Sequence, residues 1–479
     1  THRHTLPVAL SVSIQRFPMS RPENVGILAI DIYFPRYYVA QTALEKHENV
    51  KAGKFTIGLG QDELSFVTDR EDMYSISLTA VANFMEKYNY NYKDIGRLEV
   101  ATETILDHAK SVKTYLMQLF EESGNSDVEG VDSMNACYAG TNALFNSIAW
   151  VESSDWDGRY AMVVAGDIAE YSKGPARPTG GVGVVCFIIG PNAPLCVETG
   201  CRASHMEHVY DFFKPNLDSP YPVVDGQFSN KCFLKALDIC YQRYATKFQK
   251  KSGHSIDLNS VDHACFHAPY TKLVQKSFGR LVYNDFKRFS DRGEFKDLQS
   301  FKSMSLEQSY SDRNLSKALL KQSKDSFQSY VEPSIFLPRK LGNMYTASLY
   351  AGLLSLVYQK CDSLPGRRIL MFSYGSGLTA TMFSIKVGSS KRDIEQLRRI
   401  RDTVNLEQRL NARLSCSPED FHQTMKVRED LHKSSAAFKP TASSTNLFPR
   451  TFYLVEKDSI GRRFYERDGI LLGAKRSNL

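Results

Sequence analysis

A chain of 479 residues is long enough for two domain-sized cores, and its 42% hydrophobic and 24% charged residues are the composition of a globular protein. No apolar run approaches the length that spans a bilayer, and a net charge of +7 suits an anionic small molecule better than nucleic acid, so neither a membrane nor a nucleic-acid partner is expected. The nine scattered cysteines form no Cys-x-x-Cys pair, which argues against a zinc site or a disulfide framework and for a reducing compartment.

Residues 1–22 carry Arg3, Arg16 and Arg21 and no acid, a pattern resembling a transit segment; Met19 is the preferred alternative start. Ser477-Asn478-Leu479 has only a faint likeness to a peroxisomal address. Val25 to Phe34 reads as an apolar strand stopped by Pro35. A loop with Lys51, Ala52 and Lys54 follows, then a helix from Met73 to Tyr88 and a strand at Leu98 to Ala101 with Glu103 at its exit. Val112 to Glu122 is a further helix.

Asp132 to Trp150 is the central stretch. Polar residues lead to Cys137, small residues follow (Ala139, Gly140, Thr141, Ala143), and an apolar helical pattern begins. The turn is expected to deliver the thiol to a helix N-terminus, where the dipole favours the thiolate, the form that attacks a carbonyl. A small buried hydrophobe explains the same cysteine equally well. Tyr160 to Ala165 is a strand ending at Asp167, and the glycine-rich segment at Thr179 to Gly183 leads into a buried strand from Val184 to Ile189.

The second half repeats this order. A strand from Val261 to Phe266 exits at His267, and a helix runs from Lys272 to Phe286. Asn343 opens a small-residue helix start as Asn135 does, and Ile369 to Ser373 leads through Gly375-Ser376-Gly377 into Leu378 to Val387. Alternating strands and helices in two similar runs predict an α/β fold with internal duplication and a site between the halves. Lys391 to Leu410 reads as a charged, solvated helix, Ser434 to Thr445 as an exposed loop, and Arg450 to Arg467 as a hairpin.

Cys137, Glu103 and His267 all sit at strand exits or helix starts, where open α/β sheets place their sites. A cysteine, a carboxylate and a histidine together can make and use a thioester. A capping role for Glu103 and a satisfied core histidine at 267 are the competing explanations.

The text of the chain resembles the eukaryotic hydroxymethylglutaryl-CoA synthase family over about residues 24–467. The likeness is carried by Gly96-Arg97-Leu98-Glu99-Val100, Thr102-Glu103-Thr104-Ile105, Asn135-Ala136-Cys137-Tyr138, Ala165-Gly166-Asp167-Ile168-Ala169, Ala176-Arg177-Pro178-Thr179-Gly180-Gly181, Tyr210-Asp211-Phe212, Gly342-Asn343-Met344-Tyr345-Thr346 and Phe372-Ser373-Tyr374-Gly375-Ser376-Gly377-Leu378. It implies a thiolase-like duplicated αβαβα layered fold with helical and hairpin C-terminal additions. It divides the chain into an N-terminal extension (1–22), a half carrying the nucleophile (23–195) and a second half with the additions (196–479).

The activity it implies is condensation of acetyl-CoA with acetoacetyl-CoA. Cys137 would carry the acetyl group, Glu103 would be the base, and His267 would polarise the acetoacetyl carbonyl with help from Asn343. Lys51, Ala52, Lys54, Thr179, Ser229, Lys272 and Lys276 would line the coenzyme A path. Ser376 would sit by the enolate oxygen, and Tyr138, Asp167, Asp211 and Tyr345 would support the site. The thioesters are substrates, and no cofactor or metal is implied. A homodimer in the cytoplasm, serving the mevalonate pathway, is the expectation; a mitochondrial, ketone-body-forming enzyme is the alternative.

The sequence departs from the family at Ala139, where glycine is usual and a methyl would crowd the acyl pocket, and at Pro175, where a substrate-contacting asparagine is usual. Ser133-Met134, Ala268 and Thr271 differ as well. A thiolase would need a second cysteine at the Gly375–Gly377 turn, and a decarboxylating ketoacyl synthase would need no base like Glu103. A non-catalytic coenzyme A-binding protein of the same fold is the remaining alternative.

Overall fold

The computed structural model describes residues 22–472; the expectations for residues 1–21 and for Ser477-Asn478-Leu479 lie outside the described residues. The first strand, Gly26–Tyr33, is buried along its whole length because both faces of the sheet are covered. It pairs antiparallel with Gly181–Gly190, which pairs antiparallel with Tyr160–Ala169, and that strand lies parallel to Ile95–Ala101. The second half has the same plan: Thr379–Val387 is antiparallel to Arg368–Gly375, which lies parallel to His263–Phe266. The duplication legible in the sequence is therefore present in the strand pairing. Leu195–Val197 bridges Gly26–Tyr33 and Thr379–Val387, joining both halves into one ten-stranded sheet.

Helices Ala139–Val151 and Ser348–Lys360 lie between the halves. Leu144 and Ile148 of the first and Leu353 and Leu354 of the second share a core with Val163, Phe187, Met371 and Phe383 of the strands. Gly140 sets how closely these helices approach, since a Cβ there would stand 2.6 Å from the Thr346 carbonyl oxygen. Ala139 is buried in the same core, so its methyl takes part in packing. Met73–Tyr88 covers the outer face of the first half. Gly226–Ser252 and Thr271–Arg288 cover that of the second. Helix, sheet, helix, sheet, helix is the resulting order of layers.

Several local expectations change. Val112 to Glu122 is an α-helical turn, Val112–Leu116, followed by a 3₁₀ segment, Met117–Ser123. The charged helix is broken at Asn405, whose φ of 40° ends Lys391–Val404 before Leu406–Asn411. It is only partly a solvated face: Arg398 and Arg401 pair with Asp362, and Arg399 donates to the Tyr88 carbonyl. The 27-residue helix Gly226–Ser252 was not anticipated, although its buried Phe233, Leu237, Cys240, Tyr241 and Tyr244 recur at helical spacing. Its start is capped by Asp225, which accepts from the Gln227 and Phe228 amides. The hairpin forms as expected from Tyr453–Lys457 and Arg463–Arg467. It folds back onto the first half, where the Tyr465 hydroxyl donates to Asp72 at 2.8 Å.

Candidate active site

Asp167, at the end of Tyr160–Ala169, is fully buried and fastens the two halves. One oxygen accepts from the Glu103 amide and the Thr102 hydroxyl, both at 2.8 Å, and from the Thr104 amide and hydroxyl. The other accepts from the Thr346 amide at 3.0 Å and the Thr346 hydroxyl at 2.6 Å. One carboxylate thus fixes the backbone of the candidate base and the helix start of the opposite half. Charge-assisted bonds of this kind are about twice as strong as neutral ones.

Cys137 lies in a tight turn in which Ala136 has a φ of 44° and the Tyr138 amide donates to the Asn135 carbonyl at 3.1 Å. The turn is pressed against the second half's glycine turn. A Cβ on Gly375 would come within 2.5 Å of the Asn135 oxygen and the Tyr138 nitrogen, so only glycine fits there. Cys137 packs against the cluster of Ala169, Tyr171 and Tyr345, as does Phe212.

The surroundings of the thiol oppose the expected activation by the helix end. Burial holds the Cys137 thiol well above its usual range, and the carboxylates of Glu103 and Asp167 push it further up, with the Lys214 ammonium acting in the other direction. A helix N-terminus is worth at most about 2 kcal/mol. Desolvation of a buried anion is the larger effect.

Glu103 is 9% exposed, and burial raises its pKa above the usual carboxylate range. Its Oε1 lies 3.0 Å from Nζ of Lys214, a residue the sequence did not single out. Lys214 Nζ also stands 4.9 Å from the centre of the Tyr345 ring, and that ring borders Cys137. Glu103, Lys214, Tyr345 and Cys137 therefore form one cluster of neighbours.

His267 is 2% exposed and follows the strand His263–Phe266, with its amide donating to the Phe372 carbonyl at 2.8 Å. Burial lowers its pKa to about 3, so the ring is neutral near pH 7 and offers an N–H donor but no proton to give up. Among the described residues no hydrogen bond or ion pair joins His267 to Cys137 or Glu103. They are linked through the strand Arg368–Gly375, whose start of the glycine turn touches the cysteine turn.

Asn343 is held from both sides. Its amide donates to the Thr179 carbonyl, and its side-chain oxygen accepts from the Tyr345 amide at 2.9 Å and the Ser348 hydroxyl at 3.0 Å. Its NH₂ group is left facing Tyr171. Asp211 accepts from the Tyr374 hydroxyl at 2.7 Å, the Gly377 amide at 2.9 Å and the Ser229 hydroxyl at 3.4 Å, which orders the loop around Ser376. Tyr138 shares a 2.7 Å hydrogen bond with Thr381.

The lysines singled out by the sequence sit on a loop and on a helix start. Glu45 accepts from the Gly53, Phe55 and Thr56 amides, shaping the loop that displays Lys51, Ala52 and Lys54 to solvent. That loop docks on the start of Thr271–Arg288 through a Lys272 amide to Leu59 carbonyl bond of 2.8 Å. Burial and the neighbouring Lys276 together lower the pKa of Lys272, the electrostatics of a helix start suited to an anion. The Thr179 hydroxyl is engaged by the Ala176 carbonyl, and Pro175 is exposed. Among the described residues no group of three or more His, Cys, Asp or Glu side chains is placed to hold a metal, and no helix is long and apolar enough to cross a membrane.

Two related halves closed over a cysteine turn, in this layering, define a thiolase-like enzyme of the acyltransferase class. The family profile described as hydroxymethylglutaryl-coenzyme A synthase N terminal matches residues 21–194, and the C-terminal profile matches 195–468. The chain belongs to the hydroxymethylglutaryl-CoA synthase family. It is 51% identical over 449 residues to hydroxymethylglutaryl-CoA synthase A of Dictyostelium discoideum, covering 94% of this chain and 92% of that one. It is 50% identical over 456 residues to the cytoplasmic human enzyme, covering 93% and 88%. Among solved structures it resembles MvaS in complex with 3-hydroxy-3-methylglutaryl coenzyme A, with a TM-score of 0.80, 28% identity and coverage of 94% and 100%.

Proposed function

We propose that this chain condenses acetyl-CoA with acetoacetyl-CoA and water to give 3-hydroxy-3-methylglutaryl-CoA, with the acetyl group carried on Cys137. The observation that carries the reading is the cluster that gathers Glu103 and Cys137 around Lys214 and Tyr345. The Cys137 sulfur attacks the acetyl carbonyl, coenzyme A leaves, and the thiol proton goes with it. The Glu103 carboxylate then takes a proton from the acetyl methyl, and the enolate carbon bonds to the ketone carbon of acetoacetyl-CoA. The proton on Glu103 returns to the new alkoxide. Water finally cleaves the Cys137 thioester, freeing the thiol and the product.

His267, neutral under these conditions, orients the acetoacetyl carbonyl through its N–H, and the Asn343 NH₂ group assists. Backbone amides of the Cys137 turn and the Ser376 turn receive the developing negative charge. Lys51, Lys54, Lys272 and Lys276 attract the coenzyme A phosphates, and Ala52, Thr179 and Ser229 border its path. Asp167, Asp211, Tyr138 and Tyr345 hold this arrangement in place. Supplying both thioesters to the purified chain should yield 3-hydroxy-3-methylglutaryl-CoA and free coenzyme A. In the same assay His267→Ala should chiefly raise the KM for acetoacetyl-CoA. Formation of a different product, or none, sinks the assignment, and an unchanged acetoacetyl-CoA dependence removes His267 from its role.

We further propose a cytoplasmic homodimer, divided at about residue 195 into the two halves. The dimer reading is supported by Asp132–Ser133, an edge of the sheet flanked by Val131 and Met134 at 63% and 68% exposure. An exposed apolar strand edge invites pairing with a second copy. Sedimentation equilibrium should return twice the chain mass, and a single-chain mass at micromolar concentration rules the dimer out.

A further inference from the structure

We propose that Lys214 is the positioning residue of the site: from the second half it reaches across the seam and holds the Glu103 carboxylate charged and aimed at the acyl group on Cys137. The inference rests on the roles given above to Cys137 and Glu103.

The geometry comes first. Lys214 follows Phe212–Phe213, one strand of a small ribbon closed by Val223–Val224. The ribbon is anchored by Asp211, which is bound to Tyr374 and to the Gly377 amide. The same anchor therefore sets both the glycine turn and the root of Lys214. Nζ lies 3.0 Å from Glu103 Oε1 and 4.9 Å from the Tyr345 ring centre, with the Phe212 ring 5.9 Å away. An ammonium held on an aromatic face keeps its position with little freedom to swing away.

The charge balance gives that position its purpose. The ionisable groups facing Glu103 are Asp167, Cys137, Tyr171, Tyr345 and Lys214. Burial pushes both tyrosines above their usual range, so they stay neutral phenols. Two buried carboxylates then face one cation, because among the described residues only Lys214 pairs with either of them. Without it, the buried Glu103 carboxyl would favour its protonated, non-basic form. The thiol would also have to ionise beside an uncompensated negative charge. An opposite charge at this range is worth about 1–3 pH units.

The test compares Lys214→Met with Lys214→Arg by two readouts. In the condensation assay, Lys214→Met should move the acidic limb of the kcat profile upward by about 1–3 pH units, and Lys214→Arg should return it. The second readout needs no substrate: the pH dependence of iodoacetamide alkylation at Cys137, read by mass spectrometry. Lys214→Met should move that profile upward too, and adding Glu103→Gln should bring it back by removing the uncompensated charge. Limbs that coincide with wild type, even with a lower kcat, would reduce Lys214 to a structural role and overturn the proposal. So would an arginine variant shifted as far as methionine. If wild type takes no acetyl label on Cys137, the reading of the site fails instead, while the alkylation arm still decides the electrostatic role of Lys214.

Discussion

Replacing Cys137 with alanine should leave a folded protein that takes no acetyl label and forms no product. The sulfur is the only proposed point of covalent attachment, so the loss in kcat should be on the order of 10⁴-fold or more. The fold should be nearly unaffected. The turn is set by the Tyr138 amide and the press of Gly375 against Asn135 and Tyr138, neither of which uses the Cys137 sulfur. Stability should change by about 1 kcal/mol. Incubation with acetyl-CoA labelled in the acetyl group, followed by peptide mapping, is the check. Label retained by Cys137→Ala at wild-type stoichiometry would place the nucleophile elsewhere.

Glu103→Ala should separate the two halves of the reaction. The acetyl group should still load onto Cys137, because that step needs the thiol and not the base. Loading should even reach toward lower pH, since the variant removes a negative charge beside the sulfur and leaves Lys214 in place. Carbon–carbon bond formation should fall by about 10²–10⁴-fold, the usual worth of a positioned base. The sign of the wild-type pH dependence follows from the same residue. Burial raises the Glu103 pKa, the base works only when deprotonated, and so the acidic limb of kcat should lie above the roughly 4.3 of an exposed glutamate. Rapid-quench measurement of acetyl-enzyme alongside product gives both numbers. A variant that fails to acetylate would mean that Glu103 serves the thiol and not the acyl methyl.

The parts of the fold that could be read from the chain are those with a local physical signature. Gly26–Tyr33 and Gly181–Gly190 are apolar runs because both of their faces are covered, and Met73–Tyr88 has its cap at Asp72. The duplication shows because each half needs the same sequence of strand exit, small-residue helix start and glycine turn. The helix Gly226–Ser252 was missed despite its regular buried positions, because charged residues fill its outer face and lower its overall apolarity. The break at Asn405 was missed because the charge pattern runs on while the backbone does not.

By itself the sequence determined the family, the layered duplicated plan and the three candidate reacting residues, since each of these is written in short stretches of contiguous residues. Only the tertiary structure decided the electrical state of the site. Whether a thiol is ionised, a histidine neutral or a carboxylate paired depends on which charges lie within a few ångströms and how much water reaches them. Residues 103, 137, 167, 214 and 345 are distant in the chain. The Glu103–Lys214 pair, the Asp167 clasp from Glu103 to Thr346, and the raised pKa of Cys137 follow from the closing of the two halves over one seam.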